Sequence, residues 1–413
     1  MTQSRRDFLK LAAVAGLTQP AAARTRRLGA PLAARLRELR PDEISLALVG
    51  DLFLVNKFPD KLALATEGVY DLLRSSDAAL ANLENGLSTT GSPELGGFRY
   101  GGALRGAPSI VGELSRAGIT AVSLANNHTG NYGPEALLET MVTLDRAGIH
   151  HAGAGEDIER AFSPTYFEAG GQRIALLSLY SYYYNFGATD NASATAPGVA
   201  GSRAYDIVLG MAGGFDTAAR DIKPYLLEPD PGGAQAVLGP LKEDLDRMVR
   251  AIGLARERAD LTVLSVHIHW GRHTRQDLPY QQRLLARAAV DAGADIFIGH
   301  GPHTLRGIEV YQGKPIFYSL GNFVLRPARA AAAPAPDIGS RAGGKETLVA
   351  RVAASDGRIT AVELVPIVIG GNGQPRLARG AIGERIVANV AGLSANLGTR
   401  VEQDEWIGTI GLS

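Results

Sequence analysis

Residues 44–51 read ISLALVGD, a largely apolar run that ends in a carboxylate, Asp51. A short run of this kind, rich in leucine and β-branched residues, predicts a strand that is buried in a sheet. The pattern recurs four more times, and each run ends in a carboxylate, an amide or an imidazole. The other runs are AALANLE to Glu84, TAVSLANNH to Asn127 and His128, LTVLSVHIHWG with His267 and His269, and ADIFIGHGPH with His300 and His303. The repetition indicates a sheet whose strand ends carry polar groups.

Helical patterns lie between the apolar runs, and this alternation predicts an α/β fold. The strands are expected at Ile44–Val49, Ala78–Leu83, Ala121–Leu124, Arg173–Leu179, Leu261–His269, Ile296–Ile298 and Pro315–Tyr318. Helices are expected at Ser109–Ala117, Pro134–Ala147 and Leu278–Ala292, each followed or ended by an Ala-Gly pair, which is a helix stop. Two later strand patterns, Glu346–Ala353 and Ile359–Val368, have no helix between them, so the sheets are predicted to be mixed.

Two segments are typical of loops. Tyr180–Gly233 is rich in tyrosine, glycine and alanine, and Ala328–Gly344 is low in complexity. We find no internal repeat and no clear linker, so residues 44–413 are predicted to form one domain behind a polar lead at residues 24–43.

The N-terminus has the features of an export signal. Residues 4–10 read SRRDFLK, which resembles a twin-arginine motif, and a short apolar run and a small-residue site at Ala21–Ala23 follow. The apolar run is too short to span a bilayer of ~30 Å, so a removed signal peptide at residues 1–23 is favoured over an anchor. The protein is therefore predicted to be periplasmic or extracellular. Because this route carries folded proteins, a metal could be loaded before export.

The composition limits the chemistry. Lysine plus arginine equals aspartate plus glutamate, 42 against 42, so no overall field points to nucleic acid or an anionic membrane. The 413 residues include no cysteine, which excludes disulfides, zinc-thiolate sites and thiol catalysis. Any metal must be held by histidine, carboxylate or amide oxygen.

The polar strand ends together indicate a metal site. In open α/β sheets, sites form at the carboxyl ends of strands, so these groups can converge. One strand-end aspartate is usually a turn or capping residue, but five such ends are hard to assign to chance. The ligand set suits one or two divalent cations such as Mn, Fe or Zn. Two cations about 3.5–4 Å apart would clamp a phosphoryl oxygen and activate a water.

In these strand-end motifs the chain resembles the CapA family of bacterial capsule and poly-γ-glutamate synthesis proteins. The resemblance runs from about Ile44 to the C-terminus. The motifs occur in the family's order: Gly50-Asp51, Asn82-Leu83-Glu84, Leu124 to His128, His269-Trp270-Gly271, Gly299 to His303 and Tyr318 to Phe323. The family's fold is similar to that of the calcineurin-like metallophosphoesterases. The resemblance therefore implies a four-layer α/β/β/α sandwich with a dinuclear metal centre between its sheets.

The resemblance also implies a role for each motif residue. Asp51 and His303 would bind the first metal, and Glu84 would bridge the two metals. His128 would be the general acid. The second metal would be bound by Asn127, His269 and His300.

Some positions depart from the wider pattern. The superfamily has a histidine two residues after the first aspartate, where this chain has Phe53. Gly301 replaces the second histidine of the family's His-His-Pro-His motif, and His273 replaces a glutamate that usually follows the His-Trp-Gly motif. These departures put full occupation of two metal sites, and strong hydrolytic activity, in question.

Other residues have two interpretations. Asn322 is expected to buttress the site through hydrogen bonds, and His267 is expected to be a hydrogen-bonded structural histidine deeper in the core. Arg99 and Arg105 either meet an anionic substrate or are solvated, and the tyrosines at 180–184 either wall a pocket or pack. His273 has no assigned place.

Two functions fit these features. The first is a periplasmic metal-dependent hydrolase, acting on phosphoester bonds or on amide bonds of an anionic polymer such as poly-γ-glutamate. The alternative is a non-catalytic polymer-export or ligand-binding component that retains the fold and a structural metal. Membrane-bound polymer synthesis machinery is a candidate partner in either case, and nucleic acid is not.

Overall fold

The computed structural model describes residues 30–58, 60–93, 103–183, 191–209, 235–240, 242–268, 278–326 and 344–412. The helices are α1 Ala30–Ala33, α2 Asp60–Ser75, α3 Val111–Ala117, α4 Gly133–Arg146, α5 Ile158–Phe162, α6 Lys242–Arg256, α7 Tyr280–Ala292 and α8 Gly380–Ala395, and a 3-10 turn at Pro108–Ile110 leads into α3. The strands of the first half are β1 Ile44–Leu54, β2 Ala78–Leu83, β3 Gly86–Leu87, β4 Arg105–Gly106, β5 Ala121–Ser123, β6 His150–Ala152, β7 Ala154–Gly155, β8 Thr165–Ala169, β9 Gln172–Tyr183, β10 Gly198–Val199 and β11 Gly201–Leu209. Those of the second half are β12 Gln235–Pro240, β13 Leu261–Ile268, β14 Ile296–His300, β15 Ile308–Tyr311, β16 Lys314–Phe317, β17 Asn322–Arg326, β18 Glu346–Ser355, β19 Arg358–Ile369, β20 Pro375–Leu377, β21 Val401–Asp404 and β22 Ile407–Ile410.

Two large mixed sheets form the frame. The first has the order β21-β22-β19-β18-β1-β2-β5-β6, with β17 beside β1 and β20 beside β19. The second has the order β12-β11-β9-β13-β14-β16-β15, with β8 beside β9. In the first sheet β1 runs parallel to β2 and β17 and antiparallel to β18, so the predicted mixed character is confirmed.

Three apolar clusters stack the sheets and helices into four layers. One lies between the sheets and joins side chains such as Leu46 of β1 and Val263 of β13. A second packs the outer face of the first sheet against α2, α3 and α4, and a third packs the outer face of the second sheet against α5, α6 and α7. The predicted α/β/β/α sandwich is therefore the observed architecture. Helix α8 adds Ile386 and Val390 to the cluster between the sheets.

The strand register brings the polar strand ends into two rows. In the first sheet Asp51 of β1 is level with Asn82 of β2 on one side and with Asn322 of β17 on the other. In the second sheet His267 of β13 is level with Tyr180 of β9 and His300 of β14. Because side chains alternate along a strand, residues in one row that share the inner face can meet across the sandwich.

Gly50 allows β1 to approach the turn before β17. A Cβ at this position would lie 1.8 Å from the backbone oxygen of Gly321. That oxygen also accepts a hydrogen bond from the Asp51 amide at 3.0 Å. The glycine is therefore required by the close packing that holds Asp51 in place.

Gly50→Ala is expected to lower the free energy of unfolding by about 3 kcal/mol, because neither backbone can move without breaking that bond. Urea denaturation of the purified protein measures the change. Gly112→Ala in α3 is the matched control: a Cβ there meets nothing within 4 Å, and alanine should stabilise the helix by about 0.5–1 kcal/mol. Equal stability of the two variants would contradict the packing argument.

All nine strands that the sequence predicted are present to within about five residues, but the described residues form 22 strands, and one of the two loop predictions was wrong. The segment Tyr180–Gly233 contains the end of β9 and also β10 and β11, and β11 is held between β9 and β12. The glycine- and alanine-rich composition of the whole segment obscured the short strand pattern of β11, which includes Tyr205, Ile207 and Val208. The second predicted loop, Ala328–Gly344, lies outside the described residues except for Gly344.

The described part of the polar lead packs onto the domain. Leu32 and Leu36 are buried in the cluster that also contains α2, and the buried carboxylate of Glu43 pairs with Arg37 and Arg40. The predicted signal peptide at residues 1–23 lies outside the described residues. Among the helices that the structure describes, none has the length and apolar character needed to cross a membrane.

Candidate metal centre

Four of the predicted metal ligands meet between the two sheets. Asp51 lies within β1, Glu84 directly follows β2, His300 is the last residue of β14 and His303 lies in the turn beyond it. The side chains of Asp51 and Glu84 are fully buried, and that of His303 is 13% exposed.

Asp51 is surrounded by donors. Its Oδ1 accepts a hydrogen bond from Asn82 Nδ2 at 2.9 Å, and its Oδ2 accepts one from the Gly301 amide at 3.3 Å. The Nδ1 atoms of His300 and His303 lie 3.1 and 3.2 Å from the two carboxylate oxygens, although His300 is not aligned for a hydrogen bond. Burial acts to raise the pKa of Asp51, but the two imidazoles outweigh it and hold that pKa well below its usual range. Asp51 is therefore ionised in the folded protein.

Glu84 has the opposite surroundings. Neither of its carboxylate oxygens accepts a hydrogen bond from the described residues, and the nearest imidazole atoms among those residues are His267 Nε2 at 3.5 Å and His303 Nε2 at 3.8 Å. Burial and the charge of Asp51 raise the pKa of Glu84 well above its usual range. A buried carboxylate without donors is costly unless it is protonated or bound to a cation.

These residues fit a divalent cation. Asp51, Glu84 and His303 each offer a ligand atom, and the three atoms lie within 4.8 Å of one another. Carboxylate and imidazole donors in one buried group are typical of sites for Mn, Fe or Zn. A cation would bind the two Glu84 oxygens, which accept no hydrogen bond from the described residues.

Asn322 and the turn backbone orient His303. Asn322 Nδ2 donates to the backbone oxygens of His303 and Gly344 at 3.3 and 3.2 Å, so its Oδ1 faces His303 Nδ1 at 3.0 Å. The predicted buttressing role of Asn322 is confirmed. His303 therefore carries its proton on Nδ1, and Nε2, on the side of Glu84, is the atom that would hold a cation. A left-handed backbone, with a φ of 60°, brings the ring to this place.

The remaining predicted residues are less closely defined. Asn127 is half-buried, and its backbone oxygen accepts a hydrogen bond from Asn131 Nδ2 at 3.1 Å. His269 and His273 lie outside the described residues. His128 is buried beside the cluster, and its Nδ1 is 2.8 Å from Asn131 Oδ1. Burial lowers the pKa of His128 to about 4, so without a bound cation or substrate the ring is neutral near pH 7.

Phe53, two residues after Asp51, packs its ring against two histidines of the site. Its ring centroid lies 5.2 Å from that of His303 and 6.2 Å from that of His128. Phe53 also forms an apolar group with Val55 and Leu104. Phe53 therefore adds an apolar side chain, which has no ligand atom, to the wall of the site.

Three asparagines at the site were not assigned roles by the sequence. Asn82, Asn126 and Asn131 are buried and link the ligands to the surrounding backbone. Asn82 and Glu84 are two residues apart at the end of β2, a spacing that places both on one face and could have indicated a shared site. Asn131 lies in a loop three residues after His128, where no simple spacing predicts a contact.

His267 is part of the site's inner wall. It is fully buried, its Nδ1 is 3.2 Å from Asn82 Nδ2, and its ring packs 5.8 Å from that of Tyr180. The prediction of a buried, hydrogen-bonded histidine is confirmed. Its neighbours, however, are residues of the metal centre and not of the general core.

The order of the motifs and this geometry agree with one protein family. The sequence model of the bacterial capsule synthesis protein family PGA_cap matches residues 45–326, more than half of the chain. The chain belongs to the PGA_cap family. All the predicted ligands and His128 lie within the matched residues of this PGA_cap chain.

Two PGA_cap relatives show the range of similarity. The chain is 30% identical over 296 residues to the PGA biosynthesis protein CapA of Bacillus subtilis, which covers 70% of this chain and 65% of that protein. It is 28% identical over 294 residues to the capsule biosynthesis protein CapA of Bacillus anthracis, which covers 68% of this chain and 60% of that protein. The matched region thus spans less than two thirds of either relative's length.

Among solved structures, the chain is similar to the NAD nucleotidase of Haemophilus influenzae. The TM-score is 0.37 at 12% sequence identity, and the match covers 84% of this chain and 55% of that chain. A TM-score of this size is too low to support an argument about the site.

Proposed function

We propose that this PGA_cap chain is a metal-dependent hydrolase that acts outside the cytoplasm, on phosphoester or amide bonds in the synthesis or processing of a capsule or poly-γ-glutamate type polymer. The observation that carries the proposal is the environment of Glu84. No described residue donates a hydrogen bond to this fully buried carboxylate, which stands beside an ionised Asp51 and two histidines. This arrangement is unfavourable without a cation and favourable with one.

The proposed reaction assigns metal binding and proton transfer to different residues. Asp51, Glu84, His300 and His303 would hold one or two divalent ions, with His269 and Asn127 as further proposed ligands. A divalent ion at such a site activates water and polarises the bond to be cleaved. His128, held at Nδ1 by Asn131, would move a proton to or from the leaving group at Nε2. Phe53 and Leu104 belong to an apolar group beside these residues.

The proposed substrate is an anionic polymer or a phosphoester. Support comes from the capsule-synthesis family to which the chain belongs and from the name of the Bacillus subtilis relative, a PGA biosynthesis protein. Arg105, which the sequence offered as a partner for an anionic substrate, donates to the backbone oxygen of Thr90 at 3.1 Å, and its guanidinium lies 4.0 Å over the ring of Tyr132. A membrane-bound polymer synthesis complex is the proposed partner, and the twin-arginine motif supports export to the periplasm or beyond.

Metal analysis tests the first part of this proposal. Protein exported in folded form is expected to contain about one to two Mn, Fe or Zn ions per chain, as a two-metal site requires. Mass spectrometry of the purified protein gives the content. A folded protein that binds none of these ions would contradict the site.

A hydrolysis screen tests the second part. The metal-loaded protein is offered phosphoesters and γ-linked glutamyl peptides, and release of phosphate or of free amine is measured. Activity that is lost with a chelator and restored by the metal is the expected result.

One observation favours the alternative, a non-catalytic export or binding component with a structural metal. Phe53 removes a ligand from the first metal position and packs an apolar ring against His303. Bound metal, with no turnover of either substrate class, would support this alternative over the hydrolase.

A further inference from the structure

We propose that three buried asparagines decide which ring nitrogen carries the proton in His128 and in His267, and that they give the two histidines opposite tautomers. Asn131 acts on His128, and Asn126 and Asn82 act on His267. The proposal is based on which atoms donate and which accept in the hydrogen bonds among the described residues. Its importance for turnover rests on the proposed function, but the proton positions themselves do not.

Asn131 is held in one orientation by the backbone. Its Oδ1 accepts a hydrogen bond from the Leu104 amide at 3.0 Å, and its Nδ2 donates to the Asn127 oxygen at 3.1 Å. Backbone groups have fixed polarity, so a flipped side-chain amide would face a donor with a donor and an acceptor with an acceptor. His128 Nδ1, at 2.8 Å from Oδ1, must therefore be the donor. The proton of neutral His128 is on Nδ1, and Nε2 has the lone pair.

Asn126 is fixed in the same way. Its Oδ1 accepts hydrogen bonds from the backbone amides of His128 and Thr129, both at 3.0 Å. Its Nδ2 donates to the Leu83 oxygen at 2.8 Å and to Asn82 Oδ1 at 3.1 Å. The orientation of Asn126 thereby sets that of Asn82, whose Oδ1 must be the acceptor.

The fixed orientation of Asn82 determines the state of His267. Asn82 Nδ2 donates to Asp51 Oδ1 at 2.9 Å and faces His267 Nδ1 at 3.2 Å. A nitrogen that faces an N–H donor cannot carry a proton, so His267 is neutral and its proton is on Nε2. That proton is directed to the side of Glu84, whose Oε1 is 3.5 Å from Nε2.

The two tautomers give the histidines different roles. His267 carries its proton on Nε2, so it is excluded from binding a cation through that atom, and its N–H lies 3.5 Å from Glu84 Oε1 without forming a hydrogen bond to it. His128 presents a lone pair at Nε2, where a proton can be taken up and released. Asn82 and Asn131 are therefore positioning residues, one for the metal ligand and one for the proton-transfer group.

Nitrogen NMR of the metal-free full-length protein, labelled with ¹⁵N-histidine, tests the assignment directly. The couplings of the ring nitrogens to the ring carbon-bound protons identify the tautomer of each of the eight histidines. His128→Gln and His267→Gln each remove one set of signals and so assign them. We expect His128 with the proton on Nδ1 and His267 with the proton on Nε2, and the other tautomer at either residue in the wild-type protein would overturn the proposal.

Two alanine variants test the cause. Asn131→Ala should remove the Nδ1 preference of His128 and leave the His267 signals unchanged, and Asn82→Ala should do the reverse. Asn131→Asp should keep the proton on His128 Nδ1, because a carboxylate oxygen still accepts from both Leu104 and His128, and uptake of a second proton at Nε2 would leave Nδ1 protonated. If Asn131→Ala leaves His128 unchanged, or Asn131→Asp removes the proton from Nδ1, Asn131 does not position the ring. These spectra are independent of any activity, so a protein that hydrolyses nothing leaves this test intact.

Discussion

Asp51→Asn and Glu84→Gln are expected to have opposite effects on the stability of the metal-free protein and the same effect on metal binding. Both variants remove a negative charge from the proposed centre. The two carboxylates differ in their surroundings, because Asp51 accepts hydrogen bonds from Asn82 and the Gly301 amide and Glu84 accepts none from the described residues.

Asp51→Asn should destabilise the metal-free protein by about 2 kcal/mol, because the new amide nitrogen faces at least one buried donor. Glu84→Gln should stabilise it by about 1 kcal/mol at pH 8, because a neutral amide replaces a carboxyl group that must either carry a buried charge beside Asp51 or take up a proton on folding. Chemical denaturation of the chelator-treated proteins measures both changes. Equal destabilisation by the two variants would show that the Glu84 carboxylate accepts a stabilising hydrogen bond in the folded protein.

The pH dependence separates the two residues further. Glu84 has a raised pKa in the folded state, so its favourable protonated form is lost as the pH rises through that value. The advantage of Glu84→Gln over the wild-type protein should therefore grow from pH 5 to pH 8. Asp51 has a lowered pKa, so its contribution is present at neutral pH and is lost only as the pH falls through the folded value. The cost of Asp51→Asn should shrink in acid.

With metal present, both variants should lose affinity by at least about 100-fold, more than is usual when only a ligand's supporting residue is removed. Thermal unfolding with and without added Mn²⁺ or Zn²⁺ gives the change in metal-induced stabilisation. Wild-type affinity in Glu84→Gln would remove Glu84 from the ligand set.

The sequence contained enough information for the frame of the fold. Short apolar runs predicted β1, β2, β13 and β14, because a strand that is covered on both faces needs an apolar side chain at nearly every position. Strand β11, which pairs with β9 and β12, was missed because the glycine- and alanine-rich composition of its segment obscured its short strand pattern.

The site was predictable where its residues end strands and less so where they meet across the sandwich. Asp51, Glu84, His300 and His303 follow or end strand patterns, so their convergence could be expected. Asn82 and His267 are 185 residues apart and belong to different sheets, so their contact follows only from the packing. The same holds for Leu104 and Asn131, which join two loops.

His128→Ala is expected to leave the metal content unchanged and to lower turnover by about 10²–10⁴-fold, the usual contribution of a general acid or base. Its Nδ1 is hydrogen-bonded to Asn131 and its ring packs against Phe53. These contacts do not hold any of the proposed metal ligands in place, so the metal should remain bound without the imidazole. The low pKa of His128, about 4, means that the neutral ring must first take up a proton before it can donate one. A bound anionic substrate favours that uptake.

His151→Ala is the matched control for this prediction. His151 is a half-buried histidine on β6, and its Nε2 is 3.2 Å from Asp145 Oδ1, away from the metal centre. Its removal should change neither metal content nor turnover. Metal content by mass spectrometry and initial rates on the best substrate of the hydrolysis screen are measured for both variants. If His128→Ala loses the metal, His128 is a ligand or supports one, and if it keeps both metal and rate, proton transfer depends on another group. Only the loss of rate with metal retained agrees with a neutral imidazole that is held at Nδ1 and exchanges its proton at Nε2.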